Sequence, residues 1–351
     1  MRRALAAVAL GALLASGCAP GAGERGAGRG LRRIRVLAQA HLSMAPLLIA
    51  EAEGYFRDEG LEIERFSLSS SRDGLPALIQ GDLDVLTASL SPSYLSAIAQ
   101  GAHLRLVADK GHLGRDGCTY LAFLARPEMV RAGVLQRPSD GHRWRVSLRR
   151  GSIYELLTDR ALASAGIAWE DIEPVHLTGE TELQALAQGR IDVSTNTGVP
   201  MQRQIEAGQA VVWRAAQDLL PDGQFSVLLY GPALLERDPE AGIRFMAGYL
   251  RGVRQYNLGK TARNLEVLES LTGYDRGALE SACWIPMRED GRIDLPSVAA
   301  LQSWAVAHGL VDRELAVDEF WEPRFVEAAA GRLAARASGP AGHRAQEGES
   351  K

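Results

Sequence analysis

LPALIQGDLDVLTAS (residues 75–89) and LQALAQGRIDVSTNT (residues 183–197) align without a gap and share Leu, Ala, Leu, Gln, Gly, Asp, Val and Thr at the same places. Each reads as the end of an amphipathic helix, a glycine stop, a short buried strand and a small polar loop. Glycine ends a helix cheaply because, lacking a Cβ, it adopts the left-handed cap conformation. Gly81 and Gly189 stand where that cap is needed. Strands are expected at residues 83–86 and 191–193, with residues 87–91 and 195–198 just beyond their C-terminal ends. In open α/β sheets that is where ligands bind.

The likeness continues upstream. Arg35-Val36 matches Arg145-Val146, Leu47-Leu48 matches Leu156-Leu157, and GLEI (60–63) matches GIAW (166–169). Both halves run strand, helix, strand, helix, strand, loop. A period of about a hundred residues is too long for a solenoid and suits two similar α/β lobes. CTYLAFLA (118–125) and FSVLLY (225–230) are apolar and extended, and are read as the chain crossing into the second lobe and returning. That implies a two-stranded hinge and a discontinuous first lobe. Helices are expected at 46–56, 93–100, 239–258, 263–272, 275–283 and 296–308, the last group packing on the first lobe. Trp304, Phe320 and Trp321 fall at helix-like positions and are read as core.

With 351 residues, 46% hydrophobic and 23% charged, the chain can bury two cores. A net charge of −4 without a long basic run argues against a nucleic-acid partner. MRRALAAVALGALLASGC (1–18) has the charged start, apolar run and small-residue end of a secretory signal. Its Ala15-Ser16-Gly17-Cys18 resembles a lipobox, so Cys18 is expected to carry lipid and tether the exported protein in the periplasm or at the cell surface. No other segment reaches membrane-spanning length. Residues 19–30 read as a flexible tether and 335–351 as a disordered tail. The expected lobes are 31–117 with 225–334, and 118–224. Cys118 and Cys283 are read as two free, half-buried thiols, although export permits a disulfide.

The search for catalysis is negative. There is no GxSxG, HExxH, Walker loop, GxGxxG or CxxC, and the seven histidines lack metal-ligand spacing. No catalytic residue, metal or cofactor is therefore expected. What remains are small polar groups at strand ends: Gln39, His41 and Ser43; Ser69, Ser70 and Ser71; Ser89 and Ser91; Thr195, Asn196 and Thr197. Hydroxyls and amides of this kind fix a small polar ligand without carrying charge. In Gly151-Ser152-Ile153-Tyr154-Glu155, Ser152 and Glu155 form an S-x-x-E capping box, whose helix N-terminus suits an anion or polar oxygen. The expected ligand-binding set is Gln39, His41, Ser43, Ser70, Ser89, Ser91, Ser152, Tyr154, Asn196 and Thr197. Arg150 is read as solvated.

AHLSMAPLLIAEAEGYFRDEGLEIE (40–64), with its Gly54-Tyr55-Phe56 turn and Glu59-Gly60-Leu61, resembles the first-lobe signature of periplasmic solute-binding proteins of the sulfonate, nitrate and thiamine-precursor group. QGDLDV (80–85) resembles the group's G-x-x-D stretch, and GRIDLPSVAALQSWAVAHGLV (291–311) its C-terminal helix region. The likeness covers nearly all of the mature chain. It implies a type II periplasmic-binding-protein-like α/β fold: two lobes, each a mixed sheet flanked by helices, joined by a two-stranded hinge. It also implies a lipid-tethered, monomeric receptor that closes on a small sulfonate-, nitrate- or pyrimidine-like solute. The receptor would hand that solute to an ABC permease driven by a separate ATPase. The cysteine-rich motif of the group's pyrimidine synthases is lacking. The alternatives are an enzyme on the same bilobed fold and a ligand-sensing receptor.

Overall fold

The computed structural model describes residues 30–338, apart from 39–40, 69–70, 137–140 and 142. Cys18, the tether, Gln39, Ser69 and Ser70 lie outside the described residues, as does the chain from 339 onward. Two five-stranded mixed sheets organise the rest. The strands are β1 (Arg32–Leu37), β2 (Leu61–Phe66), β3 (Val85–Ser89), β4 (Arg105–His112), β5 (Leu121–Ala125), β6 (Trp144–Ser147), β7 (Ile172–Val175), β8 (Val193–Thr197), β9 (Val211–Ala215) and β10 (Gln224–Tyr230). The first sheet runs β2-β1-β3-β10-β4 and the second β7-β6-β8-β5-β9. In each, three parallel strands are followed by one strand antiparallel to its neighbours: β10 in the first, β5 in the second. The chain passes between the sheets over 113–120 and again over 216–223. Both crossings fall slightly ahead of the apolar segments, because those segments are fully buried strands of the sheets they enter.

The repeated aspartate and arginine explain each other. Arg35 donates from its backbone and Nε to Asp84 Oδ2 (2.8 and 3.1 Å) and from Nη2 to Oδ1 (3.0 Å) and to Gly81 O (2.7 Å). Arg145 makes the same four bonds, to Asp192 (2.9, 3.1 and 2.8 Å) and to Gly189 O (2.8 Å). Backbone bonds return from Asp84 to Arg35 and from Asp192 to Arg145. Each clasp joins the helix stop to a strand of its own lobe, β1 in the first and β6 in the second. A planar guanidinium can satisfy both carboxylate oxygens and a carbonyl at once, so the burial of Asp84 and Asp192 is compensated. Gly81 (φ 80°) and Gly189 (φ 69°) hold the expected left-handed caps.

Several boundaries differ from the sequence reading. β3 and β8 start two residues later than expected and end later still, so Thr87 and Thr195 are in-strand and Ser89 and Thr197 are the strand ends. The helix expected over 46–56 breaks at Gly54 into Ala45–Ala52 and Tyr55–Asp58. β4 runs to His112, beyond the apolar run 104–108 that reads from sequence as the whole strand. The last helix, Arg324–Ala337, passes residue 335. Cys118 and Cys283 are not free thiols: they form a disulfide, with Cα atoms 5.5 Å apart, between the first crossing and the segment after the helix Arg276–Ser281. Residues so distant in sequence meet only because the C-terminal helices fold back over the hinge.

Those helices cover the first sheet. Pro239–Asn257 lies against Ala45–Ala52, where a Cβ on Gly252 would collide with Pro46 O and Ala50 Cβ. A glycine there lets two backbones approach closely. Trp304, Phe320 and Trp321 are buried, as their positions imply.

Candidate functional site

Between the sheets lies a cleft of about 740 Å³. The first lobe contributes His41 and Ser43 after β1, Ser89 at the end of β3, Phe225 on β10 and Tyr274 after the helix Ala262–Thr272. Tyr120 enters from the first crossing. The second lobe contributes Arg149 after β6, Tyr154, His176 and Thr178 after β7, and Asn196 and Thr197 at the end of β8. Equivalent strand ends of the two halves thus face one another, as the repeat implies.

Of the ten ligand-binding residues expected from sequence, His41, Ser43, Ser89, Tyr154, Asn196 and Thr197 line this cleft. Gln39 and Ser70 are outside the described residues. Ser91 and Ser152 are buried beside the cleft, and Ser91 serves the contact between lobes. Ser91 Oγ donates to Gly151 O (2.9 Å) and accepts from Ser93 N (3.3 Å), capping the helix Pro92–Ala99. Ile153 N donates to Leu90 O (3.1 Å), so the N-terminus of the helix Ile153–Ser164 points at backbone of the other lobe. The expected Ser152–Glu155 capping box does not form. Ser152 Oγ donates instead to Arg149 O (2.5 Å), and Glu155 Oε2 accepts from Gly151 N (2.6 Å), one residue early. The nearby Arg149 carbonyl takes the hydroxyl that would have capped the helix.

Arg149 rather than Arg150 enters the cleft; Arg150 is exposed. The Arg149 guanidinium donates to Glu182 Oε2 (2.7 Å) and Thr195 O (3.1 Å) and lies 4.3 Å from the centre of the Tyr154 ring. Burial works against its charge, yet Tyr154 and the Glu182 carboxylate hold its pKa above the ordinary value. The other Glu182 oxygen accepts from Thr195 N (2.9 Å). This cation is therefore neutralised inside its own lobe.

Tyr154 also packs edge-on to Phe225 (5.4 Å between centroids), joining the lobes with an aromatic contact. Tyr120 packs on Phe225 (6.2 Å), and Ser43 and Thr197 lie near its hydroxyl. Burial pushes that hydroxyl's pKa far up, so it remains a neutral donor and acceptor.

Behind His41, Ser43 and Ser89 the cleft continues into a recess of about 80 Å³ against β4. Lys110 stands at its wall, 5% exposed. Its Nζ donates to Ser43 Oγ (3.3 Å). Burial pushes the ammonium down to about 8, with Asp109 opposing. Burial and the Lys110 charge together lower His41 below its usual value, so the imidazole is neutral at pH 7. Sequence reading missed Lys110, Arg149, Tyr120, Phe225 and Tyr274. For Lys110 a signal existed: it is one of three lysines, with Lys260 and Lys351, among 39 basic side chains.

Among the described residues no group of three or more His, Cys, Asp or Glu is placed to hold a metal ion, and no helix is long and apolar enough to cross a membrane.

Two mixed sheets wrapped by helices and facing one another across a polar cleft define a periplasmic-binding-protein-like fold. The chain belongs to the NMT1/THI5-like family, whose profile matches residues 41–257. No curated protein matches it in sequence. Solved structures show the same fold at low identity. The zinc-bound ligand-binding component of an ABC-type import system from Staphylococcus aureus is 15% identical, with a TM-score of 0.70 over 85% of this chain and 99% of that one. The aliphatic sulphonate-binding protein SsuA of Escherichia coli is 18% identical, with a TM-score of 0.63 over 83% and 92%. The nitrate-binding protein NrtA of Synechocystis is 11% identical, with a TM-score of 0.65 over 87% and 89%.

Proposed function

We propose that this chain is the solute-binding component of an ABC importer. It would close two lobes on a small polar solute and deliver it to a membrane permease driven by a separate ATPase. One observation carries the reading: the cleft is lined from equivalent strand ends of both sheets and from the crossing between them, so a molecule held there touches both lobes at once. Such a ligand favours the closed arrangement by its differential contacts. The solved structures of sulphonate- and nitrate-binding proteins with this fold support the same use. Residues 31–117 with 225–334 move as one lobe in this reading, and 118–224 as the other. His41, Ser43, Ser89, Tyr154, Asn196 and Thr197 contact the solute. The chain is exported, held to the membrane through lipid on Cys18, and works as a monomer without chemistry of its own.

Native mass spectrometry of freshly purified protein, followed by small-angle scattering with and without the molecule it retains, tests this. A retained small molecule that leaves unchanged and whose return shrinks the radius of gyration is the expected result. Conversion of that molecule to product by the purified chain overturns the transport reading, and a radius of gyration indifferent to it overturns lobe closure.

A further inference from the structure

We propose that Lys110 seats an anionic head group of the solute in the recess behind the main cleft, while the rest of the solute lies among the aromatic side chains in front of it. This rests on the reading of the cleft as the solute site, and it goes further by naming the ligand's class: an organic monoanion, a carboxylate or sulfonate on a body of larger size.

The first argument is the charge balance of Lys110. An ammonium carries three donors, and the described neighbours of Lys110 supply one acceptor, Ser43 Oγ at 3.3 Å. Lys110 forms no ion pair with any described residue. Its sequence neighbour Asp109 is committed elsewhere. Asp109 Oδ1 accepts from Gly111 N (3.0 Å) and Gln224 Nε2 (2.7 Å), and Oδ2 from Arg288 N (2.8 Å). Arg149, the other cation facing the cleft, is paired with Glu182. Lys110 is therefore the buried cation whose neutralisation is left to something from outside.

The second argument is the shape of the recess. His41, Ser43 and Ser89 line both it and the main cleft, so the two spaces communicate. At about 80 Å³ the recess admits a head group and excludes a body. Thr87, Ser43 and Ser89 offer hydroxyls at its wall, although Thr87 Oγ1 is engaged with Leu37 O (2.7 Å). Lysine suits this place better than the arginine used nearly everywhere else in the chain. A compact ammonium leaves room for the anion, whereas a planar guanidinium would fill the recess. In front, Tyr120, Tyr154 and Phe225 present ring faces and edges at the mouth.

The third argument sets the charge of the ligand. The groups facing the ammonium are Ser43 and His41 from the segment after β1, Thr87 and Ser89 from β3, and the Asp109 carboxylate of its own strand. With His41 neutral and the Asp109 carboxylate held by Gly111 N, Gln224 Nε2 and Arg288 N, one positive charge is offered. A monoanion is matched by it, and a dianionic phosphate ester would bring an unpaired negative charge into a buried site.

The three-lysine composition gives a direct test on the full chain. Lysine labelled with 13C at Cε yields three signals, and loss of one in Lys110→Met assigns Lys110. Methanesulfonate and acetate, at about tens of millimolar, are the probes; dimethyl sulfone and acetamide are their neutral counterparts. The expected result is a rise of the Lys110 titration midpoint by about half a unit or more with the anions, because a nearby negative charge favours the ammonium. The neutral molecules should do nothing, and Lys260 and Lys351 should not move. A Lys110 signal that ignores both anions, or follows the neutral molecules equally, overturns the proposal. A retained cleft solute whose affinity changes less than about tenfold in Lys110→Met overturns it too while leaving the receptor reading intact. A chain that holds no solute in its cleft overturns the receptor reading, and the titration still decides the role of Lys110.

Discussion

Replacing Lys110 by methionine should make the protein more stable. The ammonium sits in a recess that lowers its pKa from 10.5 to about 8, and at about 1.4 kcal/mol per unit the charged form costs the fold about 3 kcal/mol. Methionine removes that cost and keeps most of the volume. It forfeits the bond to Ser43, worth about 1 kcal/mol, so the net gain is about 2 kcal/mol at pH 7. The sign with pH follows from linkage. Below about pH 8 Lys110 is charged in both the folded and the unfolded chain, and the full penalty applies. Between about 8 and 10.5 the unfolded chain holds a proton that the folded chain has released, so wild-type stability rises with pH and the advantage of the variant shrinks. Urea unfolding of both proteins at pH 7, 9 and 10 measures this. A variant less stable than wild type at pH 7, or a gap that does not narrow with pH, refutes the reasoning.

Other perturbations have defined outcomes. Changing Cys118 and Cys283 to serine, or reducing them, opens a covalent loop spanning 165 residues and should cost about 5 kcal/mol by the chain-entropy relation; an unchanged urea midpoint with reductant contradicts this. Ser91→Ala removes the bond to Gly151 O and should shift the balance toward open lobes by about 1 kcal/mol, roughly fivefold; spin-label distances across the cleft report it, and an unaltered distribution refutes it. Gly252→Ala places a methyl against Pro46 and Ala50 and should destabilise by about 1–3 kcal/mol. Gly331→Ala, on the helix Arg324–Ala337 with no atom near its new Cβ, should instead stabilise by about 0.4–1 kcal/mol. Equal effects of the two glycine changes in denaturant unfolding would contradict the close-approach account.

The repeat made the architecture legible because it carries local chemistry. A glycine cap, a buried aspartate and a strand arginine recur at matched spacing, and the structure shows them clasping one another in both lobes. The cleft-facing hydroxyls were legible for a related reason, since strand ends can be placed from periodicity. Lys110 was not. The sequence reading stopped β4 at Ala108 because charged residues rarely continue a buried strand, and here Asp109 and Lys110 do continue it. Arg149 was passed over for its neighbour Arg150, since alternation along a short strand leaves the facing of the next two residues open. The disulfide and the aromatic wall of Tyr120, Phe225 and Tyr274 depend on segments far apart in the chain, which no local pattern relates.

The order of the strands also bears on how the chain assembles as it is made. Among the described strands β4 pairs only with β10, and β10 joins it to β3. The first sheet therefore has a gap until residues 224–230 have emerged, long after its other four strands. All five strands of the second sheet come from one uninterrupted run between Leu121 and Ala215. The later-made half can thus finish its sheet first, while the earlier-made half waits with the exposed edges of β3 and β4. Long-range pairing of this kind is slow and leaves strand edges unprotected in the interval. The link between Cys118 and Cys283 fixes the crossing against the C-terminal helices once both are in place.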